Sequence, residues 1–151
     1  MSVVAAGAPV PEFRLTTEEG EDFTAADLRG QTSVLVFYPY AFSAVCTDQF
    51  NLYEEVLEEL TAQGARVYGV SCDAPESQRA FRQSLGVSIP QLSDFEPKGA
   101  ACRAFGVYHP AGMAQRALVI VDRQGIVQWS YQAATPGDLP GANLIFDGLA
   151  A

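Results

Sequence analysis

The sequence predicts an α/β fold whose sheet is partly parallel and partly antiparallel. Near-continuous apolar runs are each followed by an apolar repeat of helical period, and two later strand-like runs are joined by a three-residue turn. Composition sets the scale. At 151 residues, 48% hydrophobic and 18% charged, the chain suits one domain, residues 1–151, and is too apolar to stay disordered. No internal repeat, low-complexity tract or linker divides it.

Residues 12–15 read as a short strand, and 17–20 as a polar turn ahead of Phe23. Thr24-Ala-Ala-Asp27 has the form of a capping box and, with Leu28 and Gly30 behind it, predicts one helical turn. Ser33-Val-Leu-Val-Phe-Tyr38, stopped by Pro39, predicts a central strand buried on both faces. In the helix that follows, Tyr53, Val56, Leu57 and Leu60 share one face, Glu54, Glu55, Glu58 and Glu59 are expected to point to solvent, and Gly64 ends it. Residues 66–71 read as a second strand. Asp73 and Pro75 open a helix through Ala80, Phe81 and Leu85. Residues 90–93 are a short extended piece, and 98–105 a short helix closed by Gly106. Strands at 116–122 and 126–132 meet at Arg123-Gln-Gly125, and 136–151 form a loop and a final helix. The order β-α-β-α, then β-β-α, is that of a thioredoxin-like fold with extra elements in front.

Nine Lys and Arg against eighteen Asp and Glu give a net charge of −9. That excludes the basic face that nucleic acid or an anionic membrane surface requires. No apolar run reaches the ~18 residues of a membrane span, and residues 1–11 carry no Lys or Arg, so no secretory signal is predicted. Three scattered cysteines, no CxxC and one histidine, His109, predict neither a disulfide framework nor a metal site. No cofactor is implied. The expected compartment is the reducing cytoplasm, where the question is whether one thiol is reactive.

The best-placed thiol is Cys46. A strand ends at Pro39 and Cys46 falls near the start of the next helix, beyond the carboxyl end of a strand, where open α/β sheets bind ligands. Unpaired N–H groups at a helix start favour a thiolate, which is the nucleophilic form. Ser43 is close enough for its hydroxyl to reach the sulfur or a substrate, and Pro39, with no N–H, can wall the pocket. Tyr40, Phe42 and Val45 would exclude water. On spacing alone the same residues fit a buried core cysteine, a plain N-cap and a strand terminator.

Pro39-x-x-x-Ser43-x-x-Cys46 resembles the peroxiredoxin signature Pro-x-x-x-Thr/Ser-x-x-Cys. Gly7-Ala-Pro9 to Phe13, Asp27-Leu-Arg-Gly30, Leu92-Ser-Asp94, Phe105-Gly-Val107 and Arg116-Ala-Leu-Val-Ile-Val-Asp122 match the family in order and spacing. The stretches Phe37 to Cys46 and Leu92 to Ala100 are most similar to the one-cysteine alkyl hydroperoxide reductase E group of actinobacteria. The resemblance implies a thioredoxin-like fold with peroxiredoxin-type N-terminal additions. It also implies a thiol-dependent peroxidase acting on hydrogen peroxide and organic hydroperoxides. By it, Cys46 is the peroxidatic cysteine, oxidised to a sulfenic acid, Ser43 orients the peroxide, Pro39 shields the sulfur and Arg116 supplies positive charge. Gln49 stands where many members have Glu, and can still hydrogen-bond the arginine without charge.

No cysteine occupies a familiar resolving position: Asn51 stands five residues after Cys46, Phe81 and Arg82 lie in the later helix, and no Val-Cys-Pro motif occurs. Cys72, at a strand end, and Cys102, in a short helix, are expected as packing residues, with internal resolution by either as the alternative. The resemblance to the actinobacterial group implies a low-molecular-weight thiol, such as mycothiol, or a glutaredoxin- or thioredoxin-like protein as the reductant. Apolar residues at 40–42 and 108–113, with the resemblance, predict a homodimer. A redox-sensing thiol protein is the competing class, and the missing CxxC disfavours a disulfide reductase.

Overall fold

The computed structural model describes residues 2–151. Its centre is a seven-stranded mixed sheet in the order β2-β1-β5-β4-β3-β8-β9. The strands are β1 (Arg14–Thr17), β2 (Asp22–Thr24), β3 (Thr32–Phe37), β4 (Ala65–Ser71), β5 (Gln91–Ser93), β8 (Ala117–Val121) and β9 (Val127–Gln132). β3, β4 and β5 run parallel, while β8 and β9 on one side and β1 and β2 on the other run antiparallel. β3 pairs with both β4 and β8, so every side chain from Ser33 to Phe37 is buried.

The alternation of β3 divides the core in two. Val34 and Val36 face a layer with Phe50, Tyr53, Leu60, Phe81 and Ile145. These come from α1 (Ala44–Glu55), α2 (Leu57–Ala62), α3 (Pro75–Leu85) and α5 (Ala142–Leu149). Leu35 and Phe37 face the opposite layer, with Leu15, Phe23, Leu28, Cys102 and Phe105, the last two from α4 (Ala100–Ala104) and its C-cap. The N-terminal segment is tied to this framework by backbone bonds from Val4 to Phe105 and from Gly7 to Val127. The fold is mixed α/β, with the antiparallel pair β1–β2 added ahead of the central strand.

Several elements differ from the sequence reading. The first strand runs two residues later than expected, and β2 is an additional strand. Residues 17–20 are the turn of this hairpin, whose register pairs Leu15 with Phe23. The single helix expected after Cys46 is two, interrupted at Val56, whose backbone leaves helical geometry (φ −109°, ψ 7°). Glu54 is half-buried, and at the surface its carboxylate accepts from the Ser88 amide and hydroxyl at 2.9 and 2.8 Å. The short helix expected over 98–105 is confined to Ala100–Ala104, because Gly99 sits at φ 75° and starts it. Residues 108–114 form a two-stranded piece, β6 (Tyr108–His109) with β7 (Met113–Ala114). Arg82 forms an ion pair at 2.8 Å with the largely buried carboxylate of Glu18.

Candidate active site

Leaving β3, the chain passes Tyr38 and Pro39, both buried, and turns into α1 at Ser43. The turn depends on Phe42, which holds a left-handed φ of 70°, a conformation rare outside glycine and found where the surrounding structure enforces it. Asp73 provides one enforcing contact. Its carboxylate accepts the Ala41 amide and the Ser71 hydroxyl, each at 2.8 Å, tying the loop to the end of β4. Asp73 therefore does not cap α3, where Ala74 holds the N-cap position and Pro75 follows.

Cys46 lies in the first turn of α1 and is fully buried. Ser43 is the N-cap, and its oxygen accepts the Cys46 amide at 3.3 Å. That amide is thus partly engaged, and the Ser43 hydroxyl proton remains available to donate. Arg116 precedes β8, which is antiparallel to β3, and this pairing carries it to Cys46 across seventy residues of chain. One guanidinium nitrogen, Nη2, donates to Cys46 Sγ at 3.2 Å. Nη1 donates to Gln49 Oε1 at 2.5 Å, and Nε to the Pro136 carbonyl at 2.7 Å. Arg116 is only 2% exposed. Among the described residues the ion pairs are Arg14–Asp22 and Arg82–Glu18, so no carboxylate balances the Arg116 charge.

Gln49 is held in turn. Its amide donates to the Tyr53 hydroxyl at 3.1 Å, and that hydroxyl donates to the Pro140 carbonyl at 2.7 Å. Burial pushes the Tyr53 phenol up to about 12, keeping it a donor. A pocket of about 280 Å³ opens over Ser43 and Arg116, walled by Pro39, Tyr40, Val45, Met113 and Pro136.

The structure brings Pro39, Ser43, Cys46, Gln49 and Arg116 together, with Tyr40 and Val45 at the pocket wall. Two expectations are corrected. Phe42 does not line the pocket: its left-handed backbone swings the ring onto Phe81, with centroids 5.4 Å apart. Gln49 lies behind Arg116, fully buried, and so positions the guanidinium rather than meeting the pocket. The carbonyls of Pro136 and Pro140 and the side chain of Met113 were not legible in the sequence. A backbone acceptor twenty or more residues from its donor leaves no local pattern.

Cys72 and Cys102 lie in the opposite core layer from Cys46, with the sheet between. His109 accepts the Ala111 amide through Nδ1 and has no ligand cluster around it among the described residues.

Comparison with protein families matches residues 6–130 to the AhpC/TSA family. The chain is 33% identical over 147 residues to alkyl hydroperoxide reductase E of Mycobacterium tuberculosis, covering 96% of this chain and 95% of that one. It is 33% identical over 129 residues to alkyl hydroperoxide reductase C of Amphibacillus xylanus, covering 81% and 69%. Among solved structures, Enterococcus faecalis AhpC superposes with a TM-score of 0.87 at 27% identity, over 99% of this chain and 92% of that one. The peroxidoxin BcpB of M. tuberculosis shares the fold, with a TM-score of 0.80 at 22% identity, over 96% and 94%. A family match that spans most of the chain, joined to a relative named alkyl hydroperoxide reductase over nearly its full length, means that the chain belongs to the AhpC/TSA family and is a peroxiredoxin enzyme.

Proposed function

We propose that this protein is a thiol-dependent peroxidase that reduces hydrogen peroxide and organic hydroperoxides at Cys46 and is recycled by an external thiol. The observation that carries the reading is the buried guanidinium of Arg116, donating to Cys46 Sγ at 3.2 Å with no carboxylate to balance it. A buried cation needs a counter-charge, and a Cys46 thiolate supplies one. The thiolate attacks one peroxide oxygen, the O–O bond breaks, and the leaving oxygen takes a proton to depart as alcohol or water. Charge moves from sulfur to that oxygen, and Arg116 Nη2 and the Ser43 hydroxyl are placed to follow it. Pro39 and Val45 keep the site dry.

The product is a Cys46 sulfenic acid. A first thiol displaces water to form a mixed disulfide, and a second releases Cys46 as thiol. Cys72 and Cys102 sit beyond the sheet, which favours the external route over an internal disulfide to Cys46. Cys46 is fully covered, so in this reading the first turn of α1 moves aside to admit the peroxide and, after oxidation, the thiol. Among the described residues no helix is long and apolar enough to cross a membrane. A homodimer, a cytoplasmic setting and a single domain complete the proposal. Tyr40, Phe42 and Phe95 leave large apolar surfaces exposed for a second copy.

Intact mass after one equivalent of hydrogen peroxide, with and without a thiol-trapping agent, tests the reading. One oxygen on Cys46 is expected, with sulfinic and sulfonic products in excess peroxide, and Cys46→Ser is expected to lose turnover with dithiothreitol. Retained turnover in Cys46→Ser would overturn the assignment. A Cys46–Cys72 or Cys46–Cys102 crosslinked peptide would overturn the one-cysteine mechanism.

A further inference from the structure

The mechanism leaves two cysteines unused, and the fold places them side by side. Cys72 follows β4, and Cys102 lies in α4, thirty residues later. Their sulfurs and a carboxylate oxygen of Asp94 all lie within 4.8 Å of one another. The three residues are buried but not equivalent. Cys72 is 7% exposed and lines a pocket, walled also by Pro39, Tyr40, Asp73 and Lys98, that opens to solvent. Cys102 is fully enclosed.

We propose that Cys72 and Cys102 form a second redox site, a dithiol that exchanges with small anionic disulfides and closes to its own Cys72–Cys102 disulfide independently of Cys46.

Two features favour redox chemistry over a metal. Both Asp94 oxygens already accept backbone amides of α4, from Ala101 at 3.0 Å and Cys102 at 2.8 Å, and the carboxylate serves there as a cap. Burial pushes the Asp94 carboxyl up, which makes it a poor permanent anion for a cation site but a serviceable proton acceptor. The thiols are polarised in opposite directions. The hydrogen bond between them lowers Cys72 below its ordinary value, and with burial it raises Cys102. The accessible sulfur is thus the one that ionises, and the enclosed sulfur is held as the thiol. Lys98 lines the pocket, and because the Asp73 carboxylate on the same wall is engaged by the Ala41 amide and the Ser71 hydroxyl, the ammonium is the charge left to meet ligands carrying carboxylates.

The chemistry balances in two exchanges. The Cys72 thiolate attacks one sulfur of the disulfide RSSR, forming Cys72–S–SR and releasing RS⁻. The Cys102 thiol then gives its proton to Asp94 and attacks Cys72, releasing a second RS⁻. The disulfide is reduced by two electrons and the dithiol oxidised by two. Closure brings the sulfurs from within 4.8 Å to about 2.05 Å. The five-residue length of α4 and its glycine start at Gly99 suit that shift.

The test uses full-length Cys46→Ser with 5,5′-dithiobis(2-nitrobenzoate) and then glutathione disulfide. Two thiolates released per protein, a loss of two hydrogens by mass and a Cys72–Cys102 crosslinked peptide are expected. Cys46→Ser/Cys102→Ser should release one thiolate and keep the adduct on Cys72. Cys46→Ser/Cys72→Ser should react at least about tenfold more slowly, since reactivity follows thiolate character and access. In urea that difference should vanish, which separates a native site from an unfolded chain. A stable adduct in Cys46→Ser, no native reaction, or equal native rates in the two double variants would overturn the proposal. Because Cys46 is absent from every variant, such a failure would leave the peroxidase reading untouched. Loss of that reading would likewise leave this result standing.

Discussion

Arg116 shows how one residue is made specific by what it lacks. Three of its nitrogens find partners, a carbonyl, an amide oxygen and a sulfur, and none of these is a carboxylate. Its charge is therefore directed at Cys46 rather than quenched in an ion pair. Arg116→Ala removes a donor aimed at the developing oxyanion, and the rate constant for peroxide reduction should fall by about 10²–10³-fold. Arg116→Lys should recover only part of this, because an ammonium cannot make the three-way fork. Stopped-flow rates against hydrogen peroxide check both, and an unchanged Arg116→Ala rate would remove the residue from the site.

Between elements, the site depends on α1 lying close against β4. Gly69 on β4 faces α1 directly: a Cβ there would stand 2.7 Å from the tip of Phe50 and 2.5 Å from Gln91 Oε1. Neither neighbour yields easily. The Gln91 amide is bonded to the Tyr38 hydroxyl at 2.6 Å and to the Ile89 carbonyl at 3.1 Å, and Phe50 packs edge-on to Tyr38 and Phe81. Gly69→Ala should therefore overpack this layer and destabilise the fold by about 1–3 kcal/mol. Activity should fall as well, since α1 carries Cys46. Urea denaturation reads the first effect, and an unchanged midpoint would show that the layer relaxes freely.

For the molecule as a whole, two measurements follow. Tyr40, Phe42 and Phe95 are 46%, 57% and 49% exposed, large apolar groups on loops around the site. Light scattering at micromolar concentration should report a dimer, and a monomer would refute it. Alkaline stability is the second. Burial raises the Tyr53 phenol from 10.0 to about 12, so the folded state favours its neutral form. That stabilisation is complete below pH 10 and is lost as pH rises through 12. About 3 kcal/mol is at stake at 1.36 kcal/mol per pH unit. Tyr53→Phe should flatten the fall of stability between pH 10 and 12, leaving the remainder to Tyr38 and Tyr68, whose phenols burial also raises. An equally steep fall in Tyr53→Phe would show that Tyr53 is not the group responsible.

The sequence by itself determined what is local or motif-bound. Alternation and apolar runs marked β3, β4, β8 and β9. The placement of Pro39, Ser43 and Cys46 at a strand-to-helix junction made them candidates, because a turn fixes the relation of residues three to seven apart, and the resemblance of their spacing to the peroxiredoxin signature singled them out. Contacts closed over long separations were decided only by tertiary structure. Leu15 and Phe23 pair as a hairpin because both need the same core layer. Val56 breaks the long helix, and Glu54 bonds Ser88 across the surface, thirty-four residues along the chain. Phe42, apolar and close to Cys46 in sequence, leaves the pocket because one backbone angle sends its ring to Phe81. Gln49 moves behind Arg116 because β8 delivers the guanidinium over α1. Cys72 and Cys102, read singly as packing residues, meet only once β4 and α4 enclose the same layer. Spacing reports neighbours along the chain, whereas sheet pairing and burial select neighbours in space.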